Sequence, residues 1–214
     1  PIDKLICASN DNKVLYDFFR TGTYDRNRHF YTTMSPSMDI LISSNLERLL
    51  YTVAGAEKTA AYMRALGTDG KYTVDADVKA KIDESFLGYF CDEELTKKTI
   101  RDTFDTDHYL CDTHTAVAWN VTQQYKAANP AHAPVVVLST ASPYKFPAAV
   151  LGGLGEKAEG DEFAVMEQLE RLTGIPAPKN LRGLRERPVR HTTVLDREEM
   201  LPFVLEKAQE KKWF

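Results

Sequence analysis

The 214 residues carry 27 basic against 31 acidic side chains, a formal net charge of -4, with 43% hydrophobic and 27% charged residues. These fractions are ordinary for a globular chain, and the acidic balance gives no electrostatic case for a nucleic-acid partner. No apolar run approaches the roughly 20 residues of a membrane span, so no membrane partner is expected.

The three cysteines, Cys7, Cys91 and Cys111, are far apart and lack metal-ligand spacing. Reduced core thiols in a cytoplasmic protein without a metal site are the expectation.

Pro1 is not an initiator Met, and the chain runs straight into an apolar strand at Leu5 to Ala8, as the back half of something larger would. Ser9 to Asn12 ends that strand. Val14, Leu15, Phe18 and Phe19 then recur at helical spacing over Lys13 to Arg20, and Thr21-Gly22-Thr23 stops the helix. Tyr24 to Asp39 reads as a loop. Helices follow from about Ser44 to Val53 and from Ala56 to Leu66. With Lys71 to Ser85 the second of these makes a small peripheral helical unit around 56–85. Phe86 to Cys91 is a strand, and Asp92 caps a polar helix to Phe104.

His108 to Cys111 reads as the next strand, and Asp112-Thr113-His114-Thr115 opens a helix through Tyr125. Val135-Val136-Val137-Leu138 reads as a fully buried strand, being apolar throughout and mostly β-branched. Ser142 as N-cap and Pro143 at the first helical position then start a helix that continues to Leu154. Asp161 to Leu172 is amphipathic. Ile175 to Pro188 is irregular, Val189 to Val194 is a strand, and Asp196 caps a last helix to about Lys211. Alternating strand and helix signals predict an α/β fold with a mostly parallel sheet and flanking helices. Leu5 to Ala8, Phe86 to Cys91, His108 to Cys111 and Val135 to Leu138 are its expected strands.

Polar clusters stand where strands hand over to helices: Ser9 to Asn12, Ser35 to Ser44, Asp112 to Thr115 and Ser139 to Lys145. Any one of them is either a helix cap or part of a site at the carboxyl ends of strands. On that geometry Asn10, His114 and Thr140 are expected to converge on one cleft. His114 is either an acid or base or a half-buried residue of a capping turn. Lys145 is either a point charge for a phosphate or a first-turn surface lysine.

At these clusters the sequence resembles threonine synthase, a pyridoxal-phosphate enzyme of fold type II. The resemblance rests on Cys7-Ala8-Ser9-Asn10-Asp11-Asn12-Lys13-Val14-Leu15 and on the long stretch Ser35-Pro36-Ser37-Met38-Asp39-Ile40-Leu41-Ile42-Ser43-Ser44-Asn45-Leu46-Glu47-Arg48-Leu49. It continues through Asp112-Thr113-His114-Thr115-Ala116-Val117-Ala118 and Leu138-Ser139-Thr140-Ala141-Ser142-Pro143-Tyr144-Lys145-Phe146. It covers nearly the whole chain but only the C-terminal portion of the family's length. Several bacterial members carry His where this chain has Ser142 and Pro where it has Thr113.

The resemblance implies the cofactor pyridoxal 5'-phosphate and the conversion of O-phospho-L-homoserine and water to L-threonine and phosphate. It matches Thr140 to the hydroxyl that contacts the cofactor's pyridine nitrogen. Asn10, Asn12, Ser142 and Lys145 become substrate-binding candidates, with His114 a weaker one. It places the lysine that carries the cofactor, in a Phe-Lys-Asp setting, upstream of Pro1. No catalytic residue is therefore expected in these 214 residues, and the missing N-terminal half becomes the main partner of an otherwise monomeric chain. A related phospho-amino-acid lyase of the same fold type, or a fragment that only binds ligands or partners, are the alternatives.

Overall fold

A computed structural model describes residues 2–131 and 133–210. The chain divides into two compact units, Pro1–Pro178 and Lys179–Phe214.

In the first unit β1 (Leu5–Ser9) leads into α1 (Val14–Thr21), whose face of Val14, Phe18 and Phe19 is buried. β1 pairs in parallel with β4 (Phe86–Phe90), in register from Leu5 opposite Phe86 to Ser9 opposite Phe90. α1 lies on this pair so closely that a Cβ on Gly88 would come within 2.9 Å of Phe19 Cβ and 3.2 Å of Tyr16 Cα. Glycine is the residue that permits this approach.

Between them β2 (Thr23–Asp25) and β3 (Lys71–Thr73) form a short antiparallel pair that the sequence did not signal. Their Tyr24 and Tyr72 rings stack at 5.5 Å, and Tyr62 of α2 (Ser44–Thr68) stacks on Tyr72 at 5.4 Å. α2 joins the two helices expected around it through Gly55, whose φ of 83° breaks the helical path. α3 (Ala76–Asp83) adds Val78 and Ile82 to the same core.

α4 (Glu93–Asp107) and α5 (Thr113–Ala128) pack on each other and carry the second half of the unit. Asp92 caps α4 by accepting from the Leu95 amide, as its position implied. α6 (Pro147–Leu154) packs on α4, with Gly153 against Ile100, and α7 (Glu162–Thr173) packs on α6.

The α/β architecture stands, with flanking helices around a smaller sheet than expected. His108 to Cys111 is not a strand. His108 ends α4 in the left-handed conformation (φ 53°), and Leu110 and Cys111 are buried without strand pairing. Val135 to Leu138 is not a buried strand either. Val136 and Leu138 are 83% and 74% exposed, and the segment pairs with no strand among the described residues. An apolar run specifies a surface that must be covered, not the element that covers it, and a ladder needs a partner backbone.

Pro143 opens only a short 3₁₀ turn, Pro143–Lys145, before α6. No helix among the described residues is long and apolar enough to cross a membrane.

The second unit holds α8 (Lys179–Arg182) and α9 (Met200–Gln209), the latter led in by a 3₁₀ turn at Arg197–Glu199 with a capping box at Asp196. Val189 to Val194 forms no strand there, because the described residues of the unit hold no second strand to pair with it. The expected helix end at Lys211 lies outside the described residues.

Candidate functional site

The loop after β1 is built by side chains. Asn10 and Asn12 are 1% and 2% exposed, and their amides are committed to the 31–39 loop. Asn12 Nδ2 donates to the Tyr31 carbonyl (2.8 Å), and Asn12 Oδ1 accepts from the Tyr31 amide (2.9 Å). Asn10 Nδ2 donates to Thr33 Oγ1 (2.8 Å) and Asp39 Oδ1 (2.8 Å), and lies 3.0 Å from Ser35 Oγ. Asp39 is the centre of this arrangement. Its Oδ1 also accepts from Asn12 Nδ2 (2.9 Å) and the Thr33 hydroxyl (2.7 Å), and its Oδ2 accepts from the Thr33 amide (2.9 Å).

The second centre is Asp112, fully buried at the N-terminus of α5. It caps the helix by accepting from the His114 and Thr115 amides. It also accepts from His114 Nδ1 (3.0 Å) and from the Thr115 hydroxyl. Burial pushes its carboxyl group up, but these four donors together outweigh that and hold it below the usual carboxylate range.

His114 Nε2 accepts from the Ser37 amide at 3.1 Å, so the ring carries its proton on Nδ1 and both nitrogens are engaged. The imidazole lies 4.9 Å from the Phe146 ring, and the Lys145 ammonium lies 5.4 Å from the same ring's centre.

From Asp112 the contacts run on to the segment expected as a strand. The Thr115 hydroxyl reaches Ser139 Oγ at 3.3 Å, and Tyr109 Oη lies 3.1 Å from Ser139 Oγ. Val137 and Ser139 line a cavity of about 270 Å³, together with Thr103, Tyr109, Cys111 and Trp119. Val136, Leu138 and Thr140 are exposed. Thr140 makes no side-chain hydrogen bond among the described residues.

Hydrogen bonds thus bring Asn10, Asn12 and His114 together through the 31–39 loop, and join His114 through Asp112 and Thr115 to Ser139, the neighbour of Thr140. Ser142 acts as a cap, its hydroxyl accepting from the Tyr144 amide at 3.3 Å. Lys145 is exposed and forms no ion pair among the described residues. The open polar groups are therefore those of Thr140 and Lys145, while the amides of Asn10 and Asn12 are spent on the protein itself. Neither carboxylate that organises the site stands out in the sequence as a site residue. Asp112 is legible as a cap, but nothing in the local pattern marks Asp39 as a centre. No group of three or more His, Cys, Asp or Glu among the described residues is arranged to hold a metal.

Residues 115–203 match the family model described as threonine synthase, C-terminal. The chain is 39% identical over 158 residues to human Threonine synthase-like 1, covering 72% of this chain and 21% of that protein. It is 35% identical over 193 residues to threonine synthase of Saccharomyces cerevisiae, covering 82% of this chain and 38% of that protein. The crystal structure of pyridoxal-phosphate-bound threonine synthase from Brucella melitensis superposes with a TM-score of 0.79 at 30% identity, covering 100% of this chain and 41% of that one. The chain therefore spans well under half the length of these relatives.

Proposed function

We propose, from the premise that this chain belongs to the threonine synthase family, that it supplies the pyridine-nitrogen side of a pyridoxal-phosphate site. The complete polypeptide then converts O-phospho-L-homoserine and water to L-threonine and phosphate. The similarity of the whole chain to the pyridoxal-phosphate-bound Brucella enzyme is the observation that carries this reading.

The donor set fits the cofactor. Thr140 offers an exposed, neutral hydroxyl next to the anchored Ser139, and a hydroxyl donates to a neutral pyridine nitrogen without charging it. When bound, the cofactor supplies the electron sink for removal of a substrate proton. Lys145 brings an ammonium with no ion pair among the described residues to the same stretch, and ammonium binds phosphate as a compact point charge. We assign it to the substrate phosphate. Ser142 orders the turn that carries it. Asn10 and Asn12 order the loop at the cleft's border, and His114 fastens that loop to α5. The sequence contains no Phe-Lys-Asp, so the lysine that carries the cofactor is assigned to another part of the polypeptide.

A second reading is a related lyase acting on a phospho-amino acid; it stays open because the chain is also similar to a protein named as threonine synthase-like.

Spectral titration of the complete polypeptide with pyridoxal phosphate tests Thr140. Thr140→Ser is expected to be mild. Thr140→Ala weakens cofactor binding by about 1 kcal/mol, the worth of one hydrogen bond. Thr140→Asp favours the protonated ring, shifts the absorption spectrum and lowers threonine formation more than cofactor occupancy. Unchanged spectra and rates in all three variants would remove Thr140 from the role.

A further inference from the structure

The two oxygens of one buried carboxylate face two separate pieces of the candidate site. Asp112 Oδ1 accepts from His114 Nδ1 at 3.0 Å, and His114 Nε2 accepts from the Ser37 amide at 3.1 Å, in the loop that Asn10, Asn12 and Asp39 hold. Asp112 Oδ2 accepts from the Thr115 hydroxyl, which reaches Ser139 Oγ at 3.3 Å. Ser139 belongs to a segment without strand pairing among the described residues. Its position therefore depends on side chains: Val137 and Ser139 in the cavity wall, and the Ser139 hydroxyl between Thr115 and Tyr109. Thr140 is the next residue.

We propose that Asp112 is a positioning residue with two independent arms. The His114 arm holds the 33–39 loop, and the Thr115 arm holds the 139–140 segment at the spacing that presents the Thr140 hydroxyl to the cofactor. This role rests on the reading of Thr140 as the pyridine-nitrogen partner. It takes Thr115 beyond helix capping, because the cap is made by the Thr115 amide whereas the arm is made by its hydroxyl. The buried carboxylate fixes the Thr115 hydroxyl in one rotamer, since an ionised acceptor binds a hydroxyl strongly. That rotamer sets where Ser139 rests. Asp112 acts by orientation only, and no proton leaves any of these groups.

The arms separate by mutation. Thr115→Val removes the hydroxyl, keeps the shape and leaves the amide cap intact. His114→Phe removes the ring nitrogens and keeps an aromatic ring against Phe146. Asp112→Asn disturbs both arms and the cap, and Thr115→Val and His114→Phe carry the test where that variant does not fold.

Backbone 15N order parameters measured on the full chain read the two segments directly. Thr115→Val is expected to lower them over residues 136–141, with residues 33–40 unchanged. His114→Phe gives the reverse pattern, and Thr115→Ser restores the order. In the complete polypeptide, Thr115→Val weakens pyridoxal-phosphate binding by about fivefold, the loss of one ordinary hydrogen bond, and Thr115→Ser recovers it.

Order parameters that fall equally in both segments, or in neither, overturn the proposal, since a plain helix cap acts on α5 alone. Thr140→Ala weakening the cofactor while Thr115→Val leaves it unchanged overturns the proposal and spares the Thr140 reading. Thr140→Ala without effect on the cofactor overturns that reading, and with it the cofactor-presenting role of the Thr115 arm.

Discussion

Asn10 Nδ2 donates to Asp39 Oδ1 at 2.8 Å, joining the end of β1 to the far side of a loop 29 residues later. The same carboxylate accepts from Asn12 and twice from Thr33. Asp39→Ala removes the acceptor and leaves three buried polar residues short of a partner. Each such group costs about 1–3 kcal/mol. We expect Asp39→Ala to lose about 3 kcal/mol in urea unfolding, and Asp39→Asn, which keeps one acceptor oxygen, to lose clearly less. Equal losses would show that the carboxylate is not the organising acceptor.

Gly88 is where α1 meets β4. An added Cβ meets Phe19 Cβ at 2.9 Å and the Tyr16 backbone at 3.2 Å, and backbone does not yield as a flexible side chain does. Overpacking of this kind costs about 1–3 kcal/mol. Gly88→Ala is therefore expected to lower the unfolding midpoint in urea, whereas Gly67→Ala, where a Cβ meets nothing within 4 Å, is not. A neutral Gly88→Ala would mean that α1 does not press on the strand.

The depressed titration of Asp112 makes a pH prediction. A carboxyl group whose folded pKa lies below its unfolded value, about 3.9, binds its proton more readily when unfolded. Its contribution to stability is present above that unfolded value and is lost as pH falls through the folded one. The stability gap between wild type and Asp112→Asn thus narrows as pH falls below about 4. Unfolding free energies measured between about pH 5 and about pH 3 check this. A gap that widens over that range contradicts the assignment.

The thiols of Cys7 and Cys91 are pushed up to about 11, and that of Cys111 to about 12, chiefly by burial. Thiolate is the reactive form. We expect Ellman's reagent at about pH 8 to label the native protein at a small fraction of the rate seen in denaturant, where all three cysteines react. Rapid stoichiometric labelling of the native chain would contradict the burial of these groups.

Much of the fold is legible in the sequence where a local rule suffices. Asp92, Asp112 and Asp161 cap the helices that follow them, Gly22 stops α1, and Gly55 lies at the break between two helical patterns. Pairing is less legible. The Val135 to Leu138 run has the composition of a buried strand, yet Val136 and Leu138 face out because nothing in the described structure covers them. The β2–β3 pair joins residues about 50 apart in three-residue strands too short to show a period. The site divides similarly. Asn10, Asn12 and His114 are marked by their place after strands or at a cap, but only the fold shows that their polar atoms already have partners. Asp39 lies within the polar stretch Ser35 to Ser44, but nothing in that stretch singles it out as the acceptor.

Whether this chain completes a threonine synthase is decided by what becomes of O-phospho-L-homoserine. The complete polypeptide carrying this chain is incubated with pyridoxal phosphate and O-phospho-L-homoserine, and threonine, 2-oxobutyrate and inorganic phosphate are quantified together. Threonine and phosphate in equal amounts, with none formed by the 214-residue chain alone, is the expected result. Phosphate released with 2-oxobutyrate and ammonia in place of threonine would contradict it and favour the lyase reading.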